Sequence, residues 1–330
     1  MDLRGLGHGA IQSPVLLGGG TQNILLRFTR SDRAYVLRRP PRHLRSTSNN
    51  TMRREMRMLA ALAGSKVPHP ALIAACPDVG VIGTAFYLME PVQGFNATMG
   101  MPTLHATSPA IRRRMGLAMV EGIAALGSVD YRSAGLSDFG KPQGYLARQV
   151  GQWRAQLESY QEFGGWPGTA EIPGFERLAA WLEIRRPPDS PPGIVHGDYH
   201  LSNVMYQLDG PELAAIIDWE LTTIGDPLID LGWLLATWAE QDAPAGVGIA
   251  RVAPWDGFPA ADELVGHYKA HSDRDLTNIT WYSVLACYKL AIIVEGTYAR
   301  ACAGKAPKET GDRLHTSALD LLERGRRWIN

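Results

Sequence analysis

Ile194-Val195-His196-Gly197-Asp198-Tyr199-His200-Leu201-Ser202-Asn203, followed at a distance by Ile216-Ile217-Asp218-Trp219-Glu220, is the stretch that decides the fold. A short apolar run, Ile194 to His196, enters an irregular polar segment. Two more short strands follow, Asn203 to Gln207 and Leu213 to Asp218, joined by the turn Asp209-Gly210-Pro211. Asp198 and Asn203 therefore stand in a loop between strands and Asp218 ends the next hairpin, which lets three oxygen-bearing side chains converge. Hard oxygen donors in a loosely built site suit Mg2+ carried with the phosphates of a nucleotide. Any one of these residues is an ordinary turn former; the spacing of the set points to chemistry.

Upstream, the pattern is that of a small sheet with one helix. Leu16-Leu17, Asn23 to Arg30 and Ala34 to Arg39 are short strands separated by Gly18-Gly19-Gly20 and by Ser31-Asp32-Arg33. Asn49 to Gly64 lacks Pro and spaces Met52, Met56, Leu59 and Ala63 as a helix does. Leu72 to Ala75 and Ala85 to Met89 add two strands. Glu90-Pro91-Val92-Gln93-Gly94 then breaks the pattern as a hinge would. Beyond it helices dominate: 109–127, 144–163, 175–186, 226–240, 262–272, 278–302 and 309–328. The expected architecture is α+β and two-lobed: a β-rich N-terminal lobe over 1–90, a hinge at 91–94 and a mainly helical lobe over 95–330.

Composition bounds the function. The chain has 330 residues, 45% apolar and 20% charged, which excludes a disordered, collagenous or coiled-coil protein and suffices for a core without staples. Three scattered cysteines form no CxxC pair and suggest neither disulfides nor a cysteine-held zinc. The apolar stretches 228–239 and 283–294 are short and carry Asp230 and Lys289, and the first residues lack a signal-peptide pattern; a cytoplasmic protein with no membrane partner is expected. Net charge is zero but segregated. Residues 1–60 hold eleven Arg and no Lys against three acids, whereas 191–240 hold eight acids and no Lys or Arg. Ends that separately favour phosphate and metal suggest a metal-nucleotide, and the missing aromatic-interleaved basic motif argues against nucleic acid.

The His-x-Asp-x-x-x-x-Asn spacing with an Asp fifteen residues on resembles the catalytic and metal-binding loops of the protein-kinase-like fold. With Ile217-Asp218-Trp219-Glu220 and Gly225-Asp226-Pro227-Leu228-Ile229-Asp230-Leu231, it resembles the aminoglycoside phosphotransferase and choline kinase superfamily. The resemblance implies an O-phosphotransferase using ATP and Mg2+. Asp198 would deprotonate the acceptor hydroxyl, Asn203 and Asp218 would hold the metal, and His196, His200 and Asp230 would support the loop, with Glu220 a further metal contact or a solvated residue. Gly19, Gly20 and Asn23 resemble the family's phosphate-covering loop, with Gln22 where Ser is usual. No Lys precedes Lys66, so the strand-three lysine of the fold is replaced by Arg. Strand alternation separates Arg38 from Arg39; Arg38 is expected to face the phosphates, with Arg39 the other register, and Glu55 is its expected partner. Backbone groups near Glu90 and Val92 would take adenine.

The acceptor is less constrained. The C-terminus, Glu323 to Asn330, carries more basic than acidic groups, which disfavours a polycation. Leu37-Arg38-Arg39-Pro40-Pro41 resembles the branch related to kinase-like domains fused to acyl-CoA dehydrogenases. An uncharged or anionic hydroxylated metabolite is expected, a hydroxyacyl thioester being one candidate. Aminoglycoside or choline-type kinases, and a nucleotide-binding pseudokinase weakened by Arg38, stay open as alternatives.

Overall fold

The computed structural model describes residues 1–18, 23–239 and 251–330. Gly19 and Gly20 lie outside the described residues. Five antiparallel strands form the N-terminal sheet: β1 (Gln12–Leu17), β2 (Ile24–Arg30), β3 (Arg33–Arg39), β4 (Leu72–Cys76) and β5 (Phe86–Met89), in spatial order β1-β2-β3-β5-β4. Helix α1 (Ser48–Leu62) packs on it through Met52, Met56, Met58 and Leu59, the apolar stripe expected from the sequence. The β3–β5 register sets Arg38 opposite Tyr87, a pairing that matters below.

The chain leaves β5 through the segment expected as a hinge and is fixed at once. Phe95 exchanges backbone hydrogen bonds with Tyr206 (2.9 and 2.8 Å), and Ile216 N–H donates to Pro68 O across to the sheet side (2.9 Å). A Cβ on Gly94 would come within 2.4 Å of Tyr206 O, so this close approach requires glycine.

The helical part holds α2 (Thr103–Thr107), α3 (Pro109–Ser128), α4 (Tyr145–Glu158), α5 (Phe175–Ile184), α6 (Leu228–Thr237), α7 (Ala261–His271), α8 (Ile279–Cys302) and α9 (Lys308–Ile329). Two small antiparallel ladders, β6 (Gly193–Val195) with β9 (Thr223–Gly225) and the hairpin β7 (Val204–Tyr206) with β8 (Leu213–Ile216), carry the polar loops. The sequence pattern missed α2 and β9, each too short to show a period. Helix α8 is long and apolar enough to cross a membrane, yet 83% of its most apolar window is buried inside the fold, where it packs against α6 and α9. Its apolarity is that of a core helix.

Candidate active site

Loop 196–203 is held by its own backbone. Asp230, completely buried at the start of α6, accepts from His196 N–H (2.7 Å) and Gly197 N–H (2.8 Å). Two charge-assisted bonds to successive amides fix the turn just before Asp198. His196 is equally enclosed: one ring nitrogen meets Ile217 O at 3.0 Å, and the other accepts from Asp198 N–H at 3.4 Å, which ties this loop to the strand end that carries Asp218. Gly197 has φ +88°, and a Cβ there would meet Leu221 O at 2.7 Å, so glycine is required on both counts.

Asp198 is oriented from both sides. Ser202 N–H donates to His200 Nδ1 (3.2 Å), which leaves the imidazole proton on Nε2, 3.1 Å from Asp198 Oδ1. Asn203 Nδ2 donates to Asp198 Oδ2 (2.9 Å) and to its carbonyl (2.9 Å). Burial alone would raise the Asp198 pKa; the bonds from His200 and Asn203 outweigh it, and the carboxyl sits below its ordinary value. It is therefore an ionised carboxylate at neutral pH with both oxygens directed.

Across the cleft, strand alternation selects Arg38. Its side chain is buried, with Nε 2.8 Å from Glu55 Oε2 and Nη2 2.6 Å from Asp218 Oδ1. Arg39 instead donates to Pro40 O. Tyr87 O–H completes the set by donating to Glu55 Oε2 (2.8 Å). The β3–β5 register places it there, and pairing the two predicted strands would have found it. Burial pushes the Glu55 carboxyl up and Arg38 pulls it back, so removing Arg38 would strand a buried acid. Glu55 has no exposed surface and reaches a nucleotide only through Arg38.

Asp218 adopts the left-handed conformation at φ +66°, which Asp tolerates better than most residues. The bond from Ile217 N–H to Asn203 O (2.9 Å) brings the two predicted metal ligands to neighbouring backbone positions. The carboxylate oxygens that gather most closely are those of Glu55, Asp218 and Glu220, all within 4.8 Å. Glu220, left between two roles by sequence reasoning, belongs to this group; Asn23 Nδ2 donates to it (3.5 Å) from the end of the glycine loop. Burial raises the Glu220 pKa, and the charges of Asp218 and Glu55 raise it further. Such an excess of negative charge on hard oxygens fits a divalent cation held by Asp218 and Glu220. Glu90 N–H is taken by Ala71 O (2.9 Å), and its exposed side chain pairs with Arg33 (2.9 Å), so from Glu90 only the carbonyl is left to face a base, next to Val92.

On the other flank of Asp198 a cavity of about 330 Å3 opens between α4, α6 and α8. Gly197 and Leu221 form its inner rim. Gln149, Gln152 and Trp153 of α4, Trp233 of α6 and Lys289 of α8 line it, and no described lining residue is a carboxylate.

Comparison with known proteins decides what this cleft belongs to. The phosphotransferase enzyme family model matches residues 13–264, three quarters of the chain and all of the side chains above except Lys289. The chain belongs to the phosphotransferase enzyme family. It is thus an enzyme that transfers phosphoryl groups to hydroxyls. A solved structure from Ralstonia eutropha JMP134, provisionally called an aminoglycoside phosphotransferase, superposes with TM-score 0.79 at 29% identity, covering 99% of this chain and 96% of that one. The ternary complex of aminoglycoside phosphotransferase APH(4)-Ia with AMP-PNP and hygromycin B shares the fold (TM-score 0.62, 13% identity, 96% and 95% covered). Among curated proteins, this phosphotransferase is 31% identical to acyl-CoA dehydrogenase family member 11 of Gallus gallus over 93% of its length, and 31% identical to family member 10 of Mus musculus over 89%. It spans only 39% and 27% of those two proteins.

Proposed function

We propose that the chain is a Mg-ATP-dependent kinase of a hydroxyl group on a small, non-polycationic metabolite. The observation that carries this is the doubly oriented Asp198 carboxylate set across a cleft from the Arg38–Glu55–Asp218 chain of charges. Asp198 accepts the proton of the acceptor hydroxyl. The freed oxygen attacks the γ-phosphorus, the bond from that phosphorus to the β-phosphate oxygen breaks, and ADP leaves with the electron pair. Phosphoryl transfer asks mainly for positioning and charge neutralisation, and the residues supply both. His196, His200 and Asp230 hold the base in place. Arg38 exchanges its Asp218 contact for phosphate oxygens, Asn23 lies beside them, and the Glu90 carbonyl and Val92 amide meet the base. Asn203, Asp218 and Glu220 would hold Mg2+, which would supply neutralisation of the charge on the phosphates.

The nucleotide half draws support from relatives solved with AMP-PNP and with GDP. The acceptor half draws support from the flanking cavity, whose described lining lacks the carboxylates a polycation would need. Likeness to acyl-CoA dehydrogenase family members 10 and 11 favours a hydroxyacyl compound, free or as a thioester, over an aminoglycoside. The test is transfer of the γ-phosphoryl group of ATP to a panel of neutral, acidic and cationic alcohols and thioesters. A preference for aminoglycosides would overturn the acceptor assignment; no transfer to any alcohol, with no ATP turnover, would overturn the activity.

A further inference from the structure

Among the described residues, Lys289 is the one charged side chain in the lining of the cavity beside Asp198. It is 5% exposed, and among the described residues its ammonium has no hydrogen bond to protein and no carboxylate within salt-bridge distance. Its close partners there are two indole faces, Trp153 and Trp233, with ring centroids 5.3 and 5.1 Å from Nζ. Trp233 lines the same cavity, and its Nε1–H is buried with no partner among the described residues. Among the described residues, Trp233 Nε1–H is thus a fully buried donor without an acceptor, whereas buried polar groups are otherwise almost always satisfied, and the Lys289 ammonium beside it faces the cavity with no acceptor from the protein. Indole faces return only part of the hydration a buried ammonium loses. An evolved site that leaves such donors open beside a catalytic carboxylate is arranged for an oxygen that arrives with the substrate.

We propose that Lys289, with Trp233 Nε1–H beside it, is the acceptor-anchoring residue: it binds the carboxylate or acyl carbonyl oxygen of a hydroxy acid or its thioester while the hydroxyl lies at Asp198. The proposal rests on the kinase reading and specifies its acceptor. Size agrees, since about 330 Å3 holds a small acyl chain. The amides of Gln149 and Gln152 offer neutral polar contacts along the chain, and Trp153 an apolar wall. Burial lowers the Lys289 pKa to about 8, with Asp230 and Asp198 pulling it back up, so the ammonium is mostly charged at pH 7. A cationic acceptor would meet this charge and be repelled.

The test uses the full chain and a panel of hydroxy acids of four to eight carbons, their thioesters, the matching diols and the matching amino alcohols. Binding is read by quenching of tryptophan fluorescence, and transfer from ATP is read separately. Wild type is expected to bind hydroxy acids or thioesters and to reject amino alcohols; the free acids against the thioesters decide which oxygen is native. Lys289→Met is expected to lower kcat/KM for the preferred class by at least about 30-fold, mainly through KM. It should change diol binding less than threefold and leave the melting temperature equal or higher, because a costly buried charge is gone. Lys289→Arg should keep part of the selectivity. Equal binding of diols and acids by wild type, no binding of either oxygen class, or unchanged kcat/KM in Lys289→Met overturns the anchor while leaving the kinase reading intact. A large loss of stability in Lys289→Met with unaltered selectivity would make Lys289 a structural cation and also overturn it. Failure of ATP turnover with bound hydroxy acid would instead count against the kinase reading.

Discussion

The two walls of the cleft are built on opposite principles. At the nucleotide site most charged groups are answered by another group of the protein: Arg38 by Glu55 and Asp218, Glu55 by Tyr87 and, in the facing loop, Asp198 by His200 and Asn203 and Asp230 by two backbone amides, with Glu220 the exception. On the acceptor wall, among the described residues, Trp233 Nε1–H is buried with no acceptor and the Lys289 ammonium faces the cavity with only indole faces beside it. Phosphoryl transfer is the same reaction whatever the acceptor, so most of its machinery is pre-paired. The acceptor wall is finished only by its ligand.

The first way to break the contrast is to remove a pre-paired group that touches the reacting atoms. Asp198→Ala should lower kcat by about 10^2- to 10^4-fold, the range for a positioned general base, while nucleotide binding by calorimetry is unchanged. Near-normal transfer would mean that another group takes the proton.

Next in size is the buried ion pair. Arg38→Met leaves the Glu55 carboxylate without its cation and should cost about 3–5 kcal/mol in denaturant unfolding. Arg38→Lys, which can still pair with Glu55, should cost far less and hold nucleotide affinity within about tenfold of wild type, one planar bidentate contact being replaced by a point charge. Equal losses in the two variants would show that guanidinium shape, not charge, organises the site.

A subtler effect is expected at Glu220, whose carboxyl is raised by burial and by the acids beside it. A raised acid favours folding when protonated and opposes it when ionised. Stability linked to it is therefore fully present below the ordinary carboxylate range and is lost as pH climbs through the raised value. Glu220→Gln should melt higher than wild type at pH 7 without Mg2+, with the difference fading below pH 4 and shrinking when Mg2+ is added. A variant less stable at pH 7 would contradict the excess of negative charge. The smallest effect belongs to the acceptor wall: Gln152→Ala, losing one neutral hydrogen-bonding group, should raise acceptor KM by only about 2- to 10-fold and leave melting unchanged.

The same contrast explains what the sequence made legible. The nucleotide wall comes from two compact stretches, 194–230 and 23–55, in which spacing and strand parity carry geometry; hence Asp198, Asn203, Asp218, the choice of Arg38 over Arg39, and Glu55 were readable. Tyr87 was missed because it enters through cross-strand register with Arg38, which a single strand does not display. The acceptor wall draws Gln149, Trp233 and Lys289 from three helices, each looking like ordinary core. Lys289 even served to argue that 283–294 is no membrane span, and only the packing of α4, α6 and α8 gives it a place beside Asp198. The long helices were expected within a few residues because apolar periodicity is strong over their length, whereas α2 and β9, of five and three residues, leave no period to detect.

The central claim is that Asp218 and its neighbours form a metal-dependent nucleotide site. Titration calorimetry of ATP into the full chain, with and without Mg2+, and repeated on Asp218→Ala, tests it most directly. The account predicts magnesium-dependent binding that the variant loses; binding indifferent to Mg2+ and to Asp218, or no binding at all, would contradict it.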